Sequence, residues 1–212
     1  VGGFIGLTAI RLSYTSGLPT VLCISRDRFD RDILELSRRT GDRLNWIYIR
    51  NTHLSSALTF WMPEPMRHQT RYATHKDWDK TLDFQKSLIM AEALLNMTRS
   101  LHGVSVVLSA NIDYWQDASL KEVCARRDIP FLVQDVETPM CEAADEDGIN
   151  YWRELDYKFR GDGIAVFSEW TKSSLVESGT VCADAIQVTG SPRFDAWRNI
   201  GGAGKSSSIS MP

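Results

Sequence analysis

The sequence predicts one doubly wound α/β domain, a parallel sheet held between two layers of helix. Six short apolar runs recur along the chain, and helix-length amphipathic segments separate most of them. The runs are continuously apolar rather than alternating, as expected of parallel strands buried on both faces. Right-handed crossovers between such strands place helices on both sides of the sheet, giving a three-layer sandwich.

Taken in order, Phe4–Tyr14 reads as a helix after the Gly2-Gly3 turn. No strand stands ahead of it and the chain opens on Val1 rather than Met, so a first strand is expected upstream. Pro19–Ser25 is a strand-length apolar run. Asp30–Thr40 is a charged helix with Ile33, Leu34 and Leu36 on its apolar side and Gly41 as its stop. Leu44–Ile49 is the next strand. Asn51–Asp77 has no clean period and carries Pro63 and Pro65, which marks a long excursion with room for a short helix. A long helix follows from Asp79 to Leu101, closed by Gly103.

The second half is more regular. Strands are expected at Val104–Ala110, Ile129–Val136, Gly163–Phe167 and Ala185–Thr189. Helices are expected at Ala118–Arg127, within Glu142–Phe159, and at Glu169–Ser178. Residues 1–196 thus form the domain, and 197–212, with Gly-Gly-Ala-Gly-Lys-Ser-Ser-Ser, read as an interdomain linker or disordered tail.

Composition narrows the function classes. A net charge of −3 with both signs interspersed argues against nucleic-acid binding. No apolar run approaches the roughly 18 residues of a membrane span. The four cysteines, Cys23, Cys124, Cys141 and Cys182, form no C-x-x-C pair, which argues against a disulfide framework or zinc site and for a reducing, cytoplasmic setting. Leu58–Met66, followed by Arg67, His68, Arg71 and Lys76, pairs apolar anchors with cations and could touch an anionic membrane or a lipid-linked acceptor at its inner face. Gly2-Gly3-Phe4-Ile5-Gly6 and Gly201-Gly202-Ala203-Gly204-Lys205-Ser206 imitate phosphate-binding loops. Neither follows a strand, so a turn and a linker explain them.

In doubly wound sheets, ligands bind beyond the carboxyl ends of the strands. The catalytic candidates there are His53, Asp135 and Glu137. A histidine just past a strand can act as a base, and carboxylates two residues apart on an extended strand share one face, so that one can tune the other. The substrate-binding candidates are Asn111, Asp113, Ser168, Glu169, Gly190 and Arg193. Ser168 and Glu169 are equally explained as a helix cap with its dipole-favoured neighbour, and Asp135 and Glu137 as caps or arginine partners. His68 and His75 fit a solvated loop, and His102 a cation at a helix end.

Gly163-Ile-Ala-Val-Phe-Ser-Glu-Trp-Thr-Lys-Ser-Ser-Leu-Val-Glu-Ser-Gly179, with Ala185-Ile-Gln-Val-Thr-Gly-Ser-Pro-Arg-Phe-Asp195, resembles the end of the N-terminal domain of GT-B glycosyltransferases. The wording is similar to surface and capsular polysaccharide transferases, Kdo transferases and CDP-glycerol glycerophosphotransferases. It resembles UDP-N-acetylglucosamine 2-epimerases more weakly, since only a Glu survives of their Glu-Ala-Gly-Leu-Arg after the strand ending at Val136. The resemblance implies a Rossmann-like domain, one half of a GT-B fold, that holds a sugar or lipid-linked acceptor. A C-terminal domain outside this chain would grip the nucleotide-sugar donor, with no cofactor and no bound metal. Two alternatives stay open: a non-hydrolysing 2-epimerase-like enzyme and a non-catalytic flavodoxin-like binding module.

Overall fold

The structure is a computed structural model that describes residues 9–13, 15–25, 29–50, 80, 82–112, 115–135 and 145–194. Its strands are β1 (Ala9–Ser13), β2 (Thr20–Ser25), β3 (Asn45–Arg50), β4 (Val104–Ser109), β5 (Phe131–Gln134), β6 (Gly163–Val166) and β7 (Ile186–Val188). Its α-helices are α1 (Asp30–Thr40), α2 (Leu82–His102), α3 (Trp115–Arg126), α4 (Asp145–Leu155) and α5 (Glu169–Glu177). The strands form one sheet in the order β1-β3-β2-β4-β5-β6-β7. Strands β2 to β7 are all parallel. This is the expected doubly wound, Rossmann-like three-layer sandwich, with β4 in the sheet interior.

One element differs from expectation. Residues 9–13, expected inside a helix, form a strand that runs antiparallel to β3, with Ile10 opposite Tyr48 and Arg11 opposite Ile47. The physical reason is in the residues: Ile10 and Leu12 alternate with Arg11 and Ser13, the period of a strand. An antiparallel strand at the edge of a parallel sheet is a common addition.

Register fixes which side chains share a face. Leu22, Ile47, Val107, Phe131, Val133, Ile164 and Ile186 lie on one side. They pack with Phe84, Leu88, Leu94 and Leu95 of α2, Leu120 and Val123 of α3, Trp152 of α4 and Leu175 of α5. The other side is covered by α1, whose Ile33, with Phe29 just before it, packs on Val21, Cys23, Trp46, Tyr48 and Ala110. This distribution follows from the winding: only the β2-to-β3 crossover moves in its direction along the sheet, and the later crossovers all move the other way. Over β5–β7 the α1 side is an open groove of about 350 Å³ floored by Leu132, Gly163, Ala165 and Gln187.

Candidate active site

Because β2 to β7 are parallel, their carboxyl ends share one rim. The order reverses at β2, whose neighbours are β3 and β4. The crossover to β3 passes through α1 on one face, while α2 and α3 cover the opposite one, which makes the ends of β2 and β4 the topological switch point where doubly wound sheets bind ligands.

Several candidates stand on this rim. Asn111 follows β4 and Asp135 follows β5, each only 3 % exposed. The Asp135 amide donates to the Ala165 carbonyl at 2.8 Å, so the residue prolongs the β5–β6 ladder and its position is fixed. Ser168 caps α5, its Oγ accepting from the Thr171 amide at 3.2 Å, and Glu169 is exposed in the first turn. Gly190 adopts φ +73°, a region costly for residues with a Cβ, and its carbonyl accepts from Gln134 Nε2 at 3.3 Å. Arg193 turns to Asp32 of α1, as described below. His53, Asp113 and Glu137 lie outside the described residues, as do His68, His75 and the Leu58–Met66 segment.

Three carboxylates on this rim escape a sequence reading. Asp32 is fully buried and accepts from Ser191 Oγ at 2.7 Å, from the Arg193 amide at 2.9 Å and from Arg193 Nε at 2.8 Å. Arg193 Nη2 completes the ion pair. Asp30 accepts from the Tyr48 hydroxyl, and Asp117, in the first turn of α3, accepts from Ser109 Oγ at the end of β4. In sequence, Asp30 and Asp32 open the charged helix expected at Asp30–Thr40 and Asp117 stands just before the one expected at Ala118–Arg127, positions where acids are ordinary. The burial of Asp32 and Asp117 depends on tertiary contacts that a single sequence does not carry.

Lys121 is also buried. Its Nζ donates to the Ile112 carbonyl at 2.7 Å and lies 5.5 and 5.4 Å from the centroids of the Phe131 and Phe159 rings. The Tyr157 hydroxyl donates to the same carbonyl at 2.6 Å. Two donors on one carbonyl hold the backbone directly after Asn111. The readable signal was Lys121 one turn after Asp117 and just ahead of the apolar Val123-Cys124 pair.

The carboxylates also act on a thiol. Burial pushes Cys23 well above its ordinary value, and the charges of Asp30 and Asp117 add to the shift. Burial, with help from Asp162, pushes Cys124 up to about 12. Both thiols therefore stay protonated in the fold, whereas an unfolded thiol ionises near pH ~8.5. A raised folded pKa stabilises below the unfolded value and loses that contribution as pH rises. Urea midpoints are thus expected to fall between about pH 8.5 and 12. Under native conditions at neutral pH, iodoacetamide should label exposed Cys182 and spare Cys23 and Cys124. Equal labelling of Cys23 and Cys182, read by mass spectrometry, would contradict this burial.

Among the described residues, no three His, Cys, Asp or Glu side chains converge as metal ligands would, and no helix is long and apolar enough to cross a membrane. The fold and rim together define a Rossmann-like α/β domain with Asn111, Asp135 and three further aspartates near the carboxyl ends of its parallel strands. Comparison with protein-family models, curated proteins and solved structures gives no match for the chain.

Proposed function

We propose that this chain is the acceptor-binding half of a GT-B-type glycosyltransferase of cell-envelope or capsular polysaccharide synthesis. The observation that carries the reading is the chemistry of the rim. Asp135 and Asn111 are held rigidly at the ends of neighbouring strands, and Asp30, Asp32 and Asp117 lie around the same switch point. Carboxylates and amides accept hydrogen bonds from sugar hydroxyls, and a fixed carboxylate can take the proton of the attacking hydroxyl. Asp32 is already paired with Arg193, and a diphosphate would need further cations or free helix N-termini. The resemblance assigns the nucleotide-sugar donor to a second domain, consistent with an acceptor-side role for this one.

A flavodoxin-like binding module is the second reading, and strand order favours it. The parallel strands run β3-β2-β4-β5-β6-β7, the flavodoxin-like order with one strand added, and β1 takes the flank that a third parallel strand occupies in the dinucleotide-binding order. Saturation-transfer NMR separates the two. Methyl glucoside, methyl galactoside and N-acetylglucosamine should bind weakly, with Kd of about 1 mM, while UDP, CDP and flavin mononucleotide should bind no better. Preferential binding of any phosphorylated probe would sink the acceptor reading.

A further inference from the structure

Strand β7 is the last strand of the sheet, four places from β2 and therefore roughly 19 Å away. The chain after β7 nevertheless returns to the helix that follows β2. Thr189 and Gly190 still donate to the Val166 carbonyl at the end of β6. The Gly190 carbonyl then takes a hydrogen bond from Gln134 at the end of β5. Ser191 and Arg193 finally reach Asp32 of α1. Residues 189–194 are thus a strap laid along the rim on the α1 side, past β6 and β5 to the switch point. Gly190, with φ +73°, makes the turn that starts the crossing, and Pro192 is buried within it. Phe194 stacks edge-on against Phe167, with ring centroids 6.1 Å apart.

The anchor is stronger than a surface contact. Asp32 has no solvent exposure, and three donor groups on the strap converge on its two oxygens. Arg193 remains 29 % exposed and delivers its planar guanidinium to the carboxylate through both Nε and Nη2. The guanidinium is therefore committed to the protein rather than offered to a ligand.

We propose that Asp32 and Arg193 are positioning residues: they staple the strap to α1 and so fix the rim beside the ends of β4 and β5, where Asn111 and Asp135 stand. The sugar-binding part of this proposal rests on the acceptor reading above; the staple itself does not. If it holds, α1 and the β5–β6 end of the rim move as one body, and a ligand beside Asp135 meets a rim of set geometry.

The test uses the 212-residue chain and four variants. Arg193→Gln removes the staple's charge, and Arg193→Lys keeps the charge without the fork. Asp32→Cys with Ser191→Cys, on a Cys141→Ser and Cys182→Ser background, replaces the staple by a disulfide that dithiothreitol opens. That background alone is the control. Amide hydrogen exchange is read at Arg193, Phe194 and Asp135, with Ile164 and Leu175 as internal references.

Arg193→Gln should speed exchange at Arg193, Phe194 and Asp135 by roughly 10- to 1,000-fold, with Ile164 and Leu175 unchanged. Arg193→Lys should fall between. The oxidised double-cysteine protein should exchange as the control does at Phe194 and Asp135, whose amide acceptors it keeps, and faster once reduced. Methyl glucoside affinity should follow the same order, lost in Arg193→Gln and regained on oxidation, a response that lost stability alone would not produce. Fast exchange of the strap in the unaltered chain, or unchanged exchange at Asp135 in Arg193→Gln, overturns the staple. Fast exchange at Asp135 with unchanged sugar affinity overturns its positioning role. If no sugar binds the unaltered chain, the acceptor reading and the positioning of sugar both fall, and exchange at Asp135 alone decides the staple. Should Arg193→Gln fail to fold, Arg193→Lys and the redox pair decide the same points.

Discussion

Phe131→Ala is expected to cost about 3–5 kcal/mol of stability and to disturb the rim as well as the core. Phe131 is among the largest fully buried side chains and sits where β5 begins, beside Val107 of β4. Its amide donates to Asp162 Oδ2 at 2.7 Å and its carbonyl accepts from the Asp162 amide at 2.9 Å, so the backbone has little freedom to collapse into the vacated space. That rigidity places the cost in the upper part of the range for aromatic truncation. The ring also faces Lys121 Nζ, which holds the Ile112 carbonyl next to Asn111. Losing it removes a cation–π contact of about 0.5–2 kcal/mol and loosens the lysine. Urea unfolding measures the first effect, and exchange at the Ser109–Ile112 amides measures the second. Phe131→Leu, which keeps most of the volume, should lose less than half as much. A loss below about 1 kcal/mol for the alanine variant would mean that the sheet repacks freely and that Lys121 does not couple core to rim.

Most of the scaffold was legible from residue pattern alone, for a physical reason. A parallel strand reads as a mainly apolar run, and Val104–Ala110 and Gly163–Phe167 read so with no tertiary information, although one face of β6 lies open over Gly163 and Ala165. Helix α1 spans Asp30–Thr40, the range expected from its Asp-rich start and Gly41 stop. Within the helix expected at Phe4–Tyr14, residues 9–13 instead form a strand, because Ile10 and Leu12 alternate with Arg11 and Ser13 as strand residues do.

The site was only half legible. Strand ends mark a rim by topology, and the structure places Asn111 and Asp135 at the ends of β4 and β5 as the strand pattern implies. What each does on the rim depends on partners far away in sequence. Arg193 and Asp32 are 161 residues apart, and no local periodicity links them. Asp117 and Lys121 look like surface residues of a helix until Ser109, Ile112 and Phe131 are seen around them.

On the acceptor reading proposed above, Asp135→Asn is expected to lower glycosyl transfer by about 10²–10⁴-fold when assayed in a polypeptide that also carries a donor-binding domain. The substitution preserves size and leaves the backbone hydrogen bond to the Ala165 carbonyl in place. It removes the negative charge of the carboxylate and, with it, the ability to take a proton from an acceptor hydroxyl. The loss should therefore appear in kcat rather than in acceptor KM, because an interaction made only as the proton moves contributes to the transition state and not to ground-state binding. Ser168→Ala is the matched control on the same rim: it deletes the α5 cap, costs about 1 kcal/mol, and should leave kcat near its starting value. Thermal melts run beside the kinetics separate the two behaviours. An Asp135→Asn protein that melts early yet turns over normally would assign the residue to the fold and remove it from the chemistry.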